Sequence, residues 1–136
     1  MISLLASAIT SRKAQESKLG KVSYLIEFAI EPDRVGEFKS KAATFIASVR
    51  ENEPETLIYN WHYTEDGTRC VLHEGFSSSE TLLTHLDNIG PTLPDLLAIA
   101  PITRFEVLGL ASDEVHTALD GLGVVYLPHV EGFERT

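Results

Sequence analysis

The sequence predicts an α+β domain in the order β-α-β-β-α-β, with an antiparallel sheet that carries its helices on one face. Three observations lead there. Residues 21–31 alternate apolar and polar at the period of a strand. Residues 35–51 place their apolar side chains on a helical stripe. Two further alternating runs flank Asp66-Gly67, a strong signal for a hairpin turn.

The elements follow in order. In the first strand Val22, Tyr24, Ile26, Phe28 and Ile30 share one face, and Ser23, Leu25, Glu27 and Ala29 the other. Pro32 stops it, and Pro32-Asp33 suits a helix start. The helix buries Val35, Phe38, Ala42, Phe45, Ile46 and Val49 and ends at Asn52-Glu53-Pro54-Glu55. Strands over residues 56–64 and 68–76 follow. If Asp66 and Gly67 form a two-residue loop, Glu65 pairs with Thr68. Tyr63 then faces Cys70, Trp61 faces Leu72, Tyr59 faces Glu74 and Leu57 faces Phe76. Ser77-Ser78-Ser79-Glu80 opens the second helix, with Leu82, Leu86 and Ile89 as its stripe and Gly90-Pro91 as its end. A short helix over 94–100 and a strand over 101–110 come next. That strand carries Thr103, Phe105 and Val107 on one face, and Arg104, Glu106 and Leu108 on the other. Ser112-Asp113-Glu114 caps a last helix, and Val124 to Leu127 can add an edge strand. The arrangement is ferredoxin-like. We divide it into an N-terminal arm (1–20), the main domain (21–112) and a C-terminal helix and tail (113–136) packed on that domain.

The composition is that of one globular domain. The chain has 136 residues, a formal net charge of -9 and one cysteine. A single Cys70 makes no internal disulfide and no cysteine zinc site. No apolar run approaches the roughly 20 residues that span a bilayer. The acidic balance argues against nucleic acid and anionic membranes as partners. Met1 to Thr10 is apolar, but its basic residues follow rather than precede it, so it is not read as a signal peptide. The expected location is cytoplasmic. The second face of the sheet carries Leu25, Ile58, Val71, Ile102 and Leu108 with no helix to cover them. A second copy of the chain, docked through that face, is the simplest cover.

Three segments carry a resemblance. Glu53-Pro54-Glu55-Thr56-Leu57-Ile58-Tyr59 resembles the entry to the second strand in the antibiotic biosynthesis monooxygenase (ABM) family. Leu72-His73-Glu74-Gly75-Phe76 resembles the third strand of that family, and Thr84-His85-Leu86 its next helix. The resemblance covers about residues 22–109. It implies a dimeric α+β barrel with a pocket between sheet and helices. It also implies a cofactor-independent monooxygenase acting on a small aromatic substrate, quinol or polyketide-like. Related members degrade haem, and others have no known activity, so a non-catalytic dimer that binds a small ligand is the alternative. The chain departs from active members in having Glu55 where glycine is usual, no Asn on the first strand, and Phe76 in place of Trp.

The candidate catalytic residues are His85 and Glu74. Glu74 lies on an apolar face, where a carboxylate is costly unless paired. His85 shares the stripe of Leu82 and Ile89, over the sheet and toward Glu74. His85 is expected to accept a phenol proton, with Glu74 orienting it. A structural reading stands beside each: Glu74 tying the sheet to its helix, and His85 as a satisfied, half-buried side chain. Trp61, Tyr59, Tyr24 and Phe76 are the candidate substrate-binding wall, or simply core. No cofactor and no metal is expected. His62 and His73 lie on the other face without a clean third ligand, and interface polar contacts explain them better.

Overall fold

The computed structural model describes residues 20–135, so the expected arm lies, but for Gly20, outside the described residues. Strand β1 (Val22–Ala29) buries Val22, Tyr24, Ile26 and Phe28 and leaves the intervening residues half-covered. After it a 3-10 turn, Pro32–Arg34, leads into helix α1 (Val35–Asn52). Proline fits there because its missing N–H has no partner to lose in the first helical turn. Strands β2 (Thr56–Tyr63) and β3 (Arg69–Phe76) form the hairpin, and helix α2 (Ser79–Ile89) follows. The Ser78 hydroxyl caps α2 by accepting from the Thr81 N–H. Helix α3 (Leu93–Leu97), strand β4 (Ile102–Leu108), helix α4 (Asp113–Ala118) and strand β5 (Val125–Leu127) complete the chain.

The five strands lie in the order β2-β3-β1-β4-β5. All neighbours are antiparallel except β4 and β5. The first four strands therefore have the expected ferredoxin-like arrangement, with β5 added at the edge. The core lies between the inner face of the sheet and the helices: Phe38, Phe45 and Val49 from α1, Leu82 and Ile89 from α2, Leu96 from α3 and Val115 from α4. On the outer face Leu25, Ile58 and Val71 are half-buried and Leu108 is exposed.

Three details differ from expectation. The hairpin loop is longer than Asp66-Gly67: β2 ends at Tyr63 and β3 begins at Arg69. A two-residue turn of the expected type needs positive φ at both central residues. Among the described residues only glycines adopt it, Gly67 with φ +77°. Asp66 instead accepts hydrogen bonds from the Thr68 N–H (3.0 Å) and from the Thr64 and Thr68 hydroxyls (2.8 Å each). Six residues, an even number, separate Tyr63 from Cys70, so Tyr63 still faces Cys70, Trp61 faces Leu72 and Tyr59 faces Glu74. Leu57 does not face Phe76. A bulge between Thr56 and Ile58 gives that place to Thr56 and leaves Leu57 54% exposed. Ile102 is not on the outer face. A shift at Glu27/Phe28 sets Ile102 opposite Phe28 on the inner face, while Thr103 bonds the Glu27 carboxylate at 2.8 Å.

Gly67 is fixed by two constraints, its left-handed φ and the Val35 Cγ1 that a Cβ would meet at 2.6 Å. Gly67→Ala is expected to cost about 1–2 kcal/mol for the backbone conformation alone, with displacement of Val35 in addition. Urea denaturation measures it, and an unchanged midpoint would contradict this account of the hairpin.

Candidate functional site

Helix α1 ends where Pro54 forbids a further turn. Glu53 still donates its backbone N–H to the Val49 carbonyl at 2.9 Å, and its side chain turns inward, the residue as a whole being 5% exposed. The bulge at Leu57 sets Thr56 beside it, and the Thr56 hydroxyl donates to Glu53 Oε1 at 2.8 Å. Asn88, one turn beyond His85 on α2, donates its amide N–H to Glu53 Oε2 at 2.7 Å. These two donors hold the Glu53 carboxylate toward α2.

His85 meets that carboxylate. Its Nδ1–H donates to Glu53 Oε1 at 2.8 Å and to Oε2 at 3.0 Å. Its other nitrogen, Nε2, lies 2.7 Å from Glu74 Oε1. All three side chains are about 1% exposed. Glu74 comes from the middle of the sheet, with Tyr24 of β1 on one side and Tyr59 of β2 on the other. The Glu74 Oε1 contact is close in distance but lies off the line of a hydrogen bond, so this oxygen has no aligned donor. The two carboxylates grip opposite nitrogens of one ring. They flank it and do not converge on a common point, and among the described residues no group of three His, Cys, Asp or Glu is disposed to hold a metal ion.

The charges follow from this geometry. Burial would lower the pKa of His85, but the Glu74 charge, followed by the hydrogen bond to Glu53, outweighs it and lifts the imidazole to about 9. Glu74 is pushed up, chiefly by burial, against the pull of His85. Burial also pushes Glu53 up, but the donors His85 and Asn88 overcome it and hold its carboxyl below the ordinary range. Near neutral pH His85 is thus an imidazolium. Tyr24 and Tyr59 stay neutral, raised mainly by burial and then by Glu74.

A small apolar cavity opens on Glu74 and His85. Its volume is about 30 Å³, room for roughly two waters. Tyr24, Tyr59 and Trp61 line it from the sheet, and Leu93, Leu96, Leu119 and Leu122 close it from the far side. Trp61 Nε1–H is buried with no acceptor among the described residues. Among the described residues, Glu74 and His85 are the only charged groups in the lining.

Five of the six candidate residues therefore line one cavity: His85, Glu74, Tyr24, Tyr59 and Trp61. Phe76 does not. It is fully buried, its ring 5.2 Å from His85 and 5.3 Å from Tyr24, and it supports them. Glu53 is the residue that the sequence reading missed. One signal was present, an acidic residue at the negative end of a helix dipole, where it is unfavourable without a partner. Asn60 faces His73 on the outer side of the hairpin, away from the cavity.

The sequence profile described as antibiotic biosynthesis monooxygenase matches residues 22–90, a span that holds Glu53, Glu74 and His85. The crystal structure of MupZ from Pseudomonas fluorescens is similar, with 26% identity over 85% of this chain and 94% of that one and a TM-score of 0.76. A candidate antibiotic biosynthesis monooxygenase from Caulobacter crescentus CB15 is 16% identical over 74% of this chain and 97% of that one, with a TM-score of 0.58. Rv0793 from Mycobacterium tuberculosis is 22% identical over 68% and 94%, with a TM-score of 0.55. The last two likenesses concern fold alone. No curated protein matches the sequence.

The raised pKa of His85 has a consequence for stability. A histidine whose pKa is higher folded than unfolded stabilises the fold fully below its unfolded value. That contribution is lost as pH rises through the folded value. Moving from 6.5 to about 9 makes it on the order of 3 kcal/mol. Wild-type stability to urea is expected to fall between about pH 6.5 and 9, and His85→Gln to fall less over that window. Equal slopes would contradict the assignment of charge.

Proposed function

The chain belongs to the antibiotic biosynthesis monooxygenase family, and we propose that it oxidises a small, neutral aromatic substrate with dioxygen and no cofactor. The observation that carries this reading is the pairing of Glu74 with a charged His85 at the wall of an otherwise apolar cavity. Such a site favours removing a weakly acidic proton and holding the anion that remains.

The roles are exchanged relative to the sequence expectation. An imidazole that already holds its proton is a poor base. Glu74, raised by burial and lacking an aligned donor on Oε1, is the better acceptor. In the proposed step the substrate, a phenol or activated C–H, gives its proton to Glu74. The His85 imidazolium lies beside the new anion and stabilises it. In this reading Trp61 Nε1–H, which has no acceptor among the described residues, donates to a substrate oxygen. The electron-rich anion then reacts with dioxygen, one oxygen atom entering as a carbonyl and the other leaving as water with two substrate hydrogens. The charge inside the site is the same before and after proton transfer, so no net charge is created in an apolar space.

The lining also indicates which substrates fit. With His85 protonated and both carboxylates ionised, Glu53, His85 and Glu74 sum to one negative charge, and among the described residues no Lys or Arg lines the cavity. A carboxylate or phosphate on the substrate would be repelled and left unpaired. An aromatic ring needs more than 30 Å³, so the leucines of α3 and the segment after α4 must move to admit it. Haem does not fit the donors present: both nitrogens of His85 are held by carboxylates. The small cavity favours one other reading, a non-catalytic protein that closes over a small hydrophobic ligand.

We propose further that two copies pair through the outer sheet face, where no helix among the described residues covers Leu25, Ile58 and Val71. Light scattering should give twice the chain mass, and a monomer at all concentrations would contradict pairing.

Oxygen uptake over a panel of quinols and anthrone-like phenols tests the activity. Turnover is expected with neutral members and not with their carboxylated analogues. Glu74→Gln should lower it at least about a hundredfold, the usual scale of a general base. No uptake with any member, or uptake indifferent to Glu74→Gln and His85→Ala, would count against the oxygenase reading.

A further inference from the structure

We propose that Glu53 is the positioning residue of this site: it locks the His85 ring in one orientation, Nδ1 outward and Nε2 on Glu74, and supplies the second negative charge that keeps the ring an imidazolium. The proposal deepens the oxygenase reading where it concerns activity, but its geometry stands without it. Nothing about Glu53 resembles a surface residue. It is 5% exposed at a chain reversal flanked by exposed neighbours. Its carboxylate accepts four hydrogen bonds, two from His85, one from Asn88 and one from Thr56. Glu53 does not line the cavity, so it acts only through His85.

The two carboxylates differ in kind. Glu53 receives aligned donors on both oxygens and is fully satisfied, so it anchors. Glu74 lines the cavity, and its Oε1, 2.7 Å from His85 Nε2, has no aligned donor. An imidazole held at Nδ1 by a fixed carboxylate cannot flip, and its Nε2–H is delivered to the working side. The arrangement follows the general logic in which a buried carboxylate fixes a histidine from behind. Here the group in front is a second carboxylate. The groups facing His85 are Glu53 from the end of α1, Glu74 from β3, Tyr59 from β2 (ring centroids 5.5 Å) and Tyr24 from β1 (6.4 Å). Both tyrosines are neutral, so among the described residues Glu53 and Glu74 set the charge.

Histidine titration by NMR on the folded protein tests this without any substrate. In Glu53→Gln the amide carbonyl can still accept from Nδ1–H, but the charge is gone. The proton affinity of His85 is expected to fall at least about tenfold. Asn88→Ala, which keeps both charges but frees Glu53 Oε2, should show a smaller fall in the same direction. A folded Glu53→Gln protein with a wild-type titration overturns the proposal. Should that variant fail to fold, an unchanged titration in Asn88→Ala overturns it. Where a substrate is turned over, Glu53→Gln should lower kcat about tenfold or more with little change in KM, because Glu53 touches no substrate; an altered KM with unchanged kcat overturns the positioning role. The titrations decide the matter even if no substrate is oxidised, so failure of the oxygenase reading and failure of this proposal are told apart.

Discussion

A histidine clamped between two buried carboxylates is the constraint from which the rest of this structure is best understood. Placing three ionisable groups at about 1% exposure is expensive. Two charges taken out of water recover their desolvation cost only with good geometry and further hydrogen bonds. Glu53 has that geometry through Thr56 and Asn88, and Glu74 only in part. The result is a site with one satisfied carboxylate, one that is under-satisfied, and a ring that holds a positive charge between them.

The fold supplies each of the three from a different kind of element, and that is why the clamp is rigid. Glu53 comes from a helix end that proline forces to stop. Glu74 comes from a strand with neighbours on both sides. His85 comes from the buried stripe of a capped helix. Small irregularities tune the fit. The bulge at Leu57 costs a regular hydrogen-bonded ladder but delivers the Thr56 hydroxyl to Glu53. The shift at Glu27/Phe28 turns Ile102 into the cavity lining. Aromatic rings of Tyr59 and Phe76 pack around the imidazole and keep water from screening the charges.

Much of this was legible in the amino-acid order. Period-two alternation in β1 and in the hairpin gave the strands and their inner faces, because a pleated strand sends successive side chains to opposite sides. The same logic put Glu74, Tyr59 and Trp61 together, and helical spacing put His85 above them. What escaped depends on information that local pattern does not carry. Leu57 and Ile102 were misassigned because a bulge changes parity without altering composition. Gly67 was recognised, but not that Asp66 would use its side chain in place of a left-handed backbone. Glu53 escaped because a charged residue before proline reads equally well as a helix stop. Its partner lies 32 residues away on another element, and only tertiary packing brings them together. The proposed direction of proton transfer rests on the same contact: without Glu53, His85 reads as a base.

The charge on His85 is therefore the quantity to measure first. Ring-nitrogen chemical shifts of 15N-histidine-labelled protein at about pH 7.5 report it directly, since an ordinary histidine is mostly neutral there. The clamp predicts that both nitrogens of His85 carry protons at that pH and that the ring loses its charge only near pH 9. A neutral His85 imidazole at the same pH would contradict the account.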